Sequence, residues 1–495
     1  MAPPPRRHNA ADYGGATPAA RQAKAIRLGY QMAPSRWLFP PYLPLLSLLS
    51  LLSVLPWNFS TTAAHTLTVF EAIQKGGGGT GAHRRAKART RSIWLFTQYL
   101  LSLLAGNPPP PTPAQTERPR LILLPDNALG AKCLDGSPPG YYFRPGTGAG
   151  KSMWHIYLPG GAWCGSAADC VARSKTLLGS STFFTNDPTS EVIHPGFTGM
   201  LSSNSTDNPP FYSWNLVRPI YCDGGGFAGT TGRVDVGNGT VLHLSGWKIM
   251  RAIMADLKAN RGIKSAAQIL LSGSSAGGHA VISLCDRIAG ALPWAPTKCI
   301  ADSGFFIDSK DRWGGFRWRG VAKSMVDMHR PKWTCMDGLP QSDHWKCFFP
   351  QYAVSNITSP LFISQTVFDF VASHIGGALP WNNTYALDCL REVLRTSKNV
   401  TGVIIKKEWS KITWKTDFCT PMERSALFTT ASILLEALEK TTRSVKSIAA
   451  FAPTSLFHGT VFMKSWMRPW VQGVSLETAI MRWFADDLSD RFMHM

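Results

Sequence analysis

The stretch of this chain best suited to covalent chemistry is the motif Gly273-Ser274-Ser275-Ala276-Gly277. An apolar run at 269–271 precedes the motif, and small residues that open a helical run follow it. The order strand, sharp turn and helix predicts a nucleophile elbow, a strained turn that exposes the hydroxyl of Ser275 above a sheet. The backbone N–H of Ala276 would face the same point. A plain glycine-rich turn is the alternative, so residues elsewhere in the chain decide the interpretation.

A serine nucleophile requires a base that accepts its proton and an acid that orients this base. In α/β-hydrolases these groups follow one another along the chain as serine, carboxylate and histidine, each after a strand. Asp369 ends an apolar run and His458 follows another, so we expect them to be the acid and the base. Asp369 could instead cap a helix or lie on the surface, and His458 could be an ordinary loop histidine. Their order and placement favour a triad with Ser275.

Ester hydrolysis also requires donors for the negative oxygen of the tetrahedral intermediate. Gly161 and Ala162 lie in a glycine-rich loop just after a predicted strand, and we expect their N–H groups to join that of Ala276 in an oxyanion hole. An ordinary Pro-Gly turn is the alternative for this loop. Trp163 and Trp214 could form the walls of an acyl pocket, although tryptophans also pack in protein cores.

The first 116 residues differ in composition from the rest of the chain. They hold 12 basic and two acidic residues, so half of the net charge of +20 lies there. Apolar runs at 43–55 and 93–105 each follow basic residues, which is the pattern of a signal peptide or signal anchor. A buried core helix is the alternative. Because glycine-rich and proline-rich linkers accompany these runs, we expect a leader over 1–116 and one catalytic domain over 117–495.

Across the larger part of the chain, apolar runs of strand length alternate with helical spacing such as that at 247–259. This alternation predicts an α/β fold with a mostly parallel central sheet. The remaining excess of positive charge is spread out and carries no zinc-finger, RNA-binding or helix-turn-helix signature, so we expect no nucleic-acid partner. A basic surface could suit an acidic polysaccharide.

Cysteines and glycosylation sequons indicate the secretory pathway. The chain has ten cysteines and no C-x-x-C pair, which argues against a zinc or redox site. An even cysteine count together with several N-x-S/T sequons favours an oxidising compartment. The sequon in the leader is at Asn58, and we expect glycans on the five later asparagines, Asn204, Asn238, Asn356, Asn382 and Asn399.

Ten segments, spread in order over residues 118–485, resemble the pectin acetylesterase/Notum family of carboxylesterases. They include CLDGSPPGYY at 133–142, LPGGAWC at 158–164, YCDGGGF at 221–227, SGSSAGG at 272–278, DSGFFID at 302–308 and FAPTSLFH at 451–458. The resemblance implies an α/β-hydrolase fold that uses no metal or cofactor. It also implies a triad of Ser275, Asp369 and His458, with the oxyanion hole at the glycine-rich loop.

The resemblance further implies a set of disulfides. The pairs that it implies are Cys133–Cys222, Cys164–Cys170 and Cys285–Cys299. We expect Cys389–Cys419 and then Cys335–Cys347 for the other four, although sequence alone leaves this connectivity open. Two positions depart from the family pattern, because Pro159 replaces a glutamate and Ser455 replaces a cysteine. One family disulfide should therefore be rearranged or missing.

We interpret the chain as a monomeric serine carboxylesterase that removes acyl groups, chiefly acetyl, from a cell-wall polysaccharide such as pectin. It would be secreted to the cell wall, or held in the Golgi lumen by an N-terminal membrane anchor. Two alternatives stay open. The first is a Notum-like deacylase that removes a fatty acyl group from a protein, and the second is an inactive wall-binding protein.

Overall fold

A computed structural model of the chain describes residues 118–187, 197–380, 383–397 and 418–494, apart from residues 127, 488 and 490. The leader predicted over 1–116, with both of its apolar runs, lies outside the described residues. Within the described ranges, no helix combines the length and the apolar character needed to cross a bilayer.

The strands of the described residues form one large sheet and two small hairpins. The strands are β1 Arg120–Leu123, β2 Gly140–Arg144, β3 Met153–Leu158, β4 Asn215–Pro219, β5 Gly232–Asp235, β6 Val241–Leu244, β7 Gln268–Ser274, β8 Thr297–Asp302, β9 Leu361–Ser364, β10 Ile448–Ala452, β11 Pro469–Val471, β12 Val474–Ser475 and β13 Phe492–His494. The large sheet has the order β1-β2-β4-β3-β7-β8-β9-β10-β13. Only its β1–β2 and β2–β4 pairs are antiparallel, so the prediction of a mostly parallel sheet is confirmed.

Nine α-helices accompany the strands in the described part of the chain. They are α1 Ala167–Ser174, α2 Gly246–Asp256, α3 Ala276–Ala291, α4 Arg317–His329, α5 Pro350–Ala353, α6 Phe370–Ile375, α7 Asn383–Ser397, α8 Pro421–Ser444 and α9 Leu476–Phe484. The predicted helix at 247–259 is therefore shorter than expected, and a π-helical turn, Leu257–Arg261, continues it.

The central strands are buried on both faces of the sheet. In β7, Ile269 and Leu271 belong to the larger apolar core, whereas Leu270 belongs to the smaller core on the other face. Strands covered on both faces have continuous apolar sequences instead of alternating ones. This burial explains why Ile269, Leu270 and Leu271, which precede the elbow, are consecutive apolar residues.

Helix α3 lies unusually close to the sheet at the end of β7. A Cβ atom added at Gly277 would lie 1.9 Å from the carbonyl oxygen of Leu158, and one at Gly278 would lie 2.4 Å from that of Asp302. Any larger side chain at these positions would push the helix away from β3 and β8. The two glycines therefore let the helix begin directly at the carboxyl edge of the sheet.

Five disulfides join all ten cysteines. They are Cys133–Cys222, Cys164–Cys170, Cys285–Cys299, Cys335–Cys347 and Cys389–Cys419. Although Ser455 stands where the family pattern has a cysteine, every cysteine of this chain has a partner. The pair Cys285–Cys299 joins α3 to β8, so it fixes the elbow helix to the neighbouring strand.

The strand that leads to Asp369 ends earlier than the sequence suggested. β9 stops at Ser364, and the chain then leaves the sheet while it follows the segment after β10. The N–H of Gln365 donates to Phe451 O at 3.0 Å, and the N–H of Val367 donates to Pro453 O at 3.0 Å. Asp369 thus stands five residues beyond the strand, at the end of an extension that runs beside the histidine segment.

Candidate active site

Ser275 occupies the turn between β7 and α3. Its backbone has φ 61° and ψ −126°, a region that residues with side chains rarely adopt. Its N–H donates to Asp302 O at 2.9 Å, which ties the turn to the adjacent strand β8. This is the strained strand–turn–helix conformation of a nucleophile elbow. The turn places Ser275 at the amino-terminal end of α3.

Asp369 and His458 are in direct contact, although 89 residues separate them. His458 Nδ1 lies 2.7 Å from Asp369 Oδ2 and 2.9 Å from Oδ1. Asp369 also caps α6, because its Oδ1 accepts the N–H of Ala372 at 2.9 Å. The helix-cap alternative and the catalytic alternative for this residue are therefore compatible. Capping the helix fixes the carboxylate in the orientation in which it meets the imidazole.

The other ring nitrogen of His458 is not engaged. Nε2 is buried and has no hydrogen-bond partner among the described residues, so the structure contains no bond from it to the Ser275 hydroxyl. Burial, the largest influence, lowers the pKa of His458. The charge and hydrogen bond of Asp369, with the charge of Asp302, outweigh burial and leave this pKa above its ordinary value. Nε2 is thus a base without a partner, held in position by Asp369.

Asp302, at the end of β8, is a buried carboxylate for which no role was predicted. It accepts the hydroxyl of Ser274 at 2.7 Å and the hydroxyl and N–H of Thr460 at 2.6 and 3.1 Å. Burial raises the pKa of Asp302, and these hydrogen bonds oppose that rise. One carboxylate therefore connects the residue before Ser275 to the segment after His458. An acid that ends the strand next to the elbow strand is the signal that could have revealed it.

The glycine-rich loop after β3 passes directly beside the serine. A Cβ atom at Gly160 would lie 2.6 Å from Ser275 Cβ and 3.3 Å from its Oγ. Gly161 and Ala162 have positive φ values of 150° and 55°. Their N–H groups have no acceptor among the described residues. Ala276 begins α3, where backbone N–H groups lack helical partners. The predicted donors therefore lie near the serine and have no other acceptor.

The conformation of this loop is held from behind by Tyr221. The Tyr221 hydroxyl donates to Ala162 O at 2.5 Å and accepts the N–H of Gly226 at 3.1 Å. The Arg173 guanidinium lies 5.0 Å from the centre of the tyrosine ring. Because one face of the Ala162 peptide is engaged in this way, the loop has little freedom to rotate.

The structure separates the two tryptophans assigned to the acyl pocket. Trp163 follows the oxyanion loop, and its ring centre lies 4.9 Å from that of Phe348 and 5.4 Å from that of Phe306. Trp214 precedes β4, is 6% exposed and packs against Phe211 at 5.0 Å. Strand β4 runs parallel to β7, and its first residue lies about 20 Å from the level of Ser275 along the strand direction. Trp214 is therefore a core residue at the opposite edge of the sheet, away from the serine.

The other predicted modification sites are only partly described. Asn204, Asn238 and Asn356 are exposed, so an attached glycan would not have to displace packed side chains. The sequons at Asn58, Asn382 and Asn399 lie outside the described residues.

One group of metal-ligand residue types occurs among the described residues, namely Cys164, Cys170 and His329. The two cysteines form a disulfide and so present no thiolate. His329 Nε2 lies 2.8 Å from the carbonyl oxygen of Cys164. The group is thus a structural contact.

The mostly parallel sheet, the serine elbow and the carboxylate–histidine pair define an α/β-hydrolase. A solved structure of the Wnt deacylase Notum from Drosophila shares this fold, with a TM-score of 0.59 at 21% identity over 76% of this chain and 95% of that one. Residues 113–494 match the family model of the pectinacetylesterases. The chain belongs to the pectinacetylesterase family.

Two curated relatives show how the similarity is distributed. Pectin acetylesterase 7 of Arabidopsis thaliana is 39% identical over 248 residues, which are 49% of this chain and 60% of the relative. The palmitoleoyl-protein carboxylesterase NOTUM of Homo sapiens is 29% identical over 275 residues, 50% of this chain and 51% of the relative. The matched segments thus cover less than two thirds of either relative.

Proposed function

We propose that this chain is a serine carboxylesterase that hydrolyses acetyl esters of an acidic cell-wall polysaccharide such as pectin. One observation carries the proposal, namely the strained Ser275 turn beside loop N–H groups that have no acceptor, with a bonded Asp369–His458 pair at the same edge of the sheet. Family membership and the identity with plant pectin acetylesterases support the choice of substrate.

In the proposed mechanism, the Ser275 hydroxyl attacks the ester carbonyl while His458 Nε2 takes its proton. Asp369 holds the imidazole and stabilises its positive charge. The N–H groups of Gly161, Ala162 and Ala276 stabilise the oxyanion. His458 then gives the proton to the departing sugar hydroxyl. A water molecule, deprotonated by His458, releases acetate and restores the serine.

Aromatic packing next to Trp163 supports a short acyl group. Phe306 and Phe348 are 3% and 0% exposed, and both rings contact the indole of Trp163. His279 closes the same cluster at 5.4 Å from the indole. Because these rings fill the space behind the tryptophan, an acetyl group fits the site better than a long acyl chain.

The similarity to the human and Drosophila Notum proteins supports a second candidate, a deacylase acting on a lipid ester of a protein. This reaction would use the same catalytic groups and would require a long apolar tunnel. The two candidates therefore differ in the preferred acyl length and not in mechanism.

The test is hydrolysis of p-nitrophenyl esters from C2 to C16 by the purified protein and by Ser275→Ala. We expect kcat/KM to be highest at C2, and we expect the variant to lose about 10⁴-fold or more. Ser265→Ala is the matched control, because this exposed serine precedes β7 and its hydroxyl donates to Gly262 O at 2.8 Å. A preference for C12–C16 would favour the lipid deacylase, whereas equal rates for the wild type and Ser275→Ala would exclude the serine mechanism. A protein without esterase activity would point to a wall-binding role.

We also propose that the protein is secreted to the cell wall as a glycosylated monomer. Five disulfides support an oxidising compartment. The exposed sequon at Asn204 supports glycosylation. Retention in the Golgi lumen is the alternative, and it depends on the apolar runs at 43–55 and 93–105. Fractionation of cells that express the tagged full chain, with glycosidase treatment, tests both options.

A further inference from the structure

An exposed indole lies on the segment between β8 and α4. Trp313 is 65% exposed, more than any other large apolar side chain among the described residues. The neighbouring side chains Lys310, Arg312 and Arg317 are cationic. We call these four residues the Trp313 surface.

The loop that carries Trp313 is built to hold the indole in solvent. Asp311 Oδ1 accepts the N–H groups of Trp313 at 2.9 Å and of Gly315 at 2.8 Å. The N–H of Asp311 in turn donates to Gly315 O at 2.8 Å. These bonds fix the backbone of the loop in the conformation that leaves the indole exposed. The exposed apolar ring is therefore a fixed feature of this surface.

Two cations next to the indole have no salt-bridge partner among the described residues, and the Asp311 carboxylate of the same loop accepts backbone N–H groups. The Arg312 guanidinium stacks 3.8 Å from the Trp313 ring centre, and its Nη1 is buried without a hydrogen-bond partner. Lys310 and Arg317 are exposed, and neither forms a salt bridge or hydrogen bond with the described residues. The nearby carboxylate of Asp308 is already bound by Arg319 at 2.8 Å. The surface thus offers cations to an external anion.

The Trp313 surface lies at the same edge of the sheet as the catalytic groups. The N–H of Arg312 donates to Gly377 O at 3.3 Å. Gly377 follows α6, the helix that Asp369 caps. A helix of six residues is about 9 Å long. A polymer that presents an ester to Ser275 could therefore reach this surface with sugar rings a few units along its chain.

We propose that the Trp313 surface is a subsite for uronate rings of an anionic polysaccharide. The indole stacks on the face of a sugar ring, while the exposed side chains of Lys310 and Arg317 bind the carboxylates of that ring and of its neighbour. The geometry suits this ligand because an aromatic plate and cations lie within one short loop. A neutral sugar ring would use the indole alone. The inference rests on the proposed function for the substrate class and adds the part of the surface that recognises its charge.

The test compares Trp313→Ala and the double variant Lys310→Gln/Arg317→Gln with the wild type. Trp294→Ala is the matched control, because Lys258 Nζ lies 5.3 Å from that indole and Trp294 is 37% exposed. Trp294 lies beyond the far end of α3, a 16-residue helix about 24 Å long. Circular dichroism and Tm values verify that each variant is folded.

We expect KM for acetylated polygalacturonate to rise about three- to tenfold in both surface variants, with kcat little changed. The double variant should also lose most of the salt dependence of this KM. KM for p-nitrophenyl acetate should stay within about twofold of the wild-type value, and Trp294→Ala should behave as the wild type. An unchanged KM for the polymer would overturn the subsite. An equal rise for the double variant on neutral acetylated xylan would show that charge is not recognised.

Direct binding separates this inference from the proposed activity. Calorimetry with unacetylated polygalacturonate and Ser275→Ala requires no hydrolysis. Binding that is lost on adding Lys310→Gln/Arg317→Gln supports the subsite even if the hydrolysed ester proves to be different. Equal binding with and without these two substitutions would reject it, as would tighter binding of RNA or of phosphatidylserine vesicles to the same residues.

Discussion

Replacing Asp302 by asparagine tests whether this buried carboxylate positions the catalytic groups. The side chain keeps its size but loses its negative charge and one acceptor oxygen. In the wild type, the Asp302 carboxylate accepts hydrogen bonds from the Ser274 hydroxyl on one oxygen and from the Thr460 hydroxyl on the other. Each carboxylate oxygen also accepts a backbone N–H, from Thr460 at 3.1 Å and from Val461 at 3.4 Å. The NH₂ group of an amide must therefore face one of these N–H groups, so that a donor faces a donor.

Three effects should follow from this substitution. An unsatisfied buried donor costs about 1–3 kcal/mol, so the free energy of unfolding should fall by about that amount. Ser275 and His458 lie close in the chain to Ser274 and Thr460, which lose their bonds to residue 302. We therefore expect kcat to fall about ten- to a hundredfold with little change in KM. Asp302 also raises the pKa of His458. Its removal should therefore move the acid limb of the pH–rate profile to lower pH.

The assay is the pH dependence of kcat/KM on p-nitrophenyl acetate, with urea unfolding of the same samples. Asp308→Asn is the matched control, since Asp308 is equally buried but bonds Arg319 and Tyr352. A purely structural role for Asp302 would lower stability and leave the acid limb in place. The reasoning would be refuted if Asp302→Asn kept the wild-type acid limb and a kcat within about twofold of the wild-type value.

Two further predictions concern the base and the oxyanion loop. Since neutral His458 must accept the proton and its pKa is raised, the wild-type kcat/KM should be high at alkaline pH and fall below a midpoint above 6.5. In Asp369→Asn, the residual activity should have a lower midpoint, and an unmoved midpoint would contradict the assignment. Tyr221→Phe removes the hydroxyl bonded to Ala162 O, so kcat should fall about tenfold at constant KM. A change confined to KM would place Tyr221 in substrate binding instead.

The elbow was predictable because its determinants are local. An apolar strand, a tight turn and small residues in the next helix are consecutive in sequence, and Gly277 and Gly278 are required by close backbone approach. Asp302 escaped prediction because its partners are distant in the chain, 28 residues away at Ser274 and 158 residues away at Thr460. Only the parallel pairing of β7 with β8 brings them together.

The two tryptophans show what strand direction adds to a residue type. Both are next to strands of the same parallel sheet, and both were assigned to the pocket on their chemistry alone. Trp163 follows β3 and so lies at the carboxyl edge, whereas Trp214 precedes β4 and lies at the amino edge. In parallel sheets, ligands bind at the carboxyl edge. Whether a residue follows or precedes its strand was thus a better guide to the pocket than its being a tryptophan.

Backbone strain at this edge is concentrated where the chemistry is. Ala162, Ser275 and Ser303 follow three adjacent strands, and each has a positive φ without being glycine. Such conformations cost on the order of 1–3 kcal/mol each, so the surrounding structure must hold them. Ser303 Oγ accepts the N–H of Gly459, and the Cys285–Cys299 disulfide closes a short loop, a link worth about 3 kcal/mol. The disulfide joins the helix that follows the Ser275 turn to the strand that precedes Ser303, so its contribution to stability offsets part of the strain at these turns.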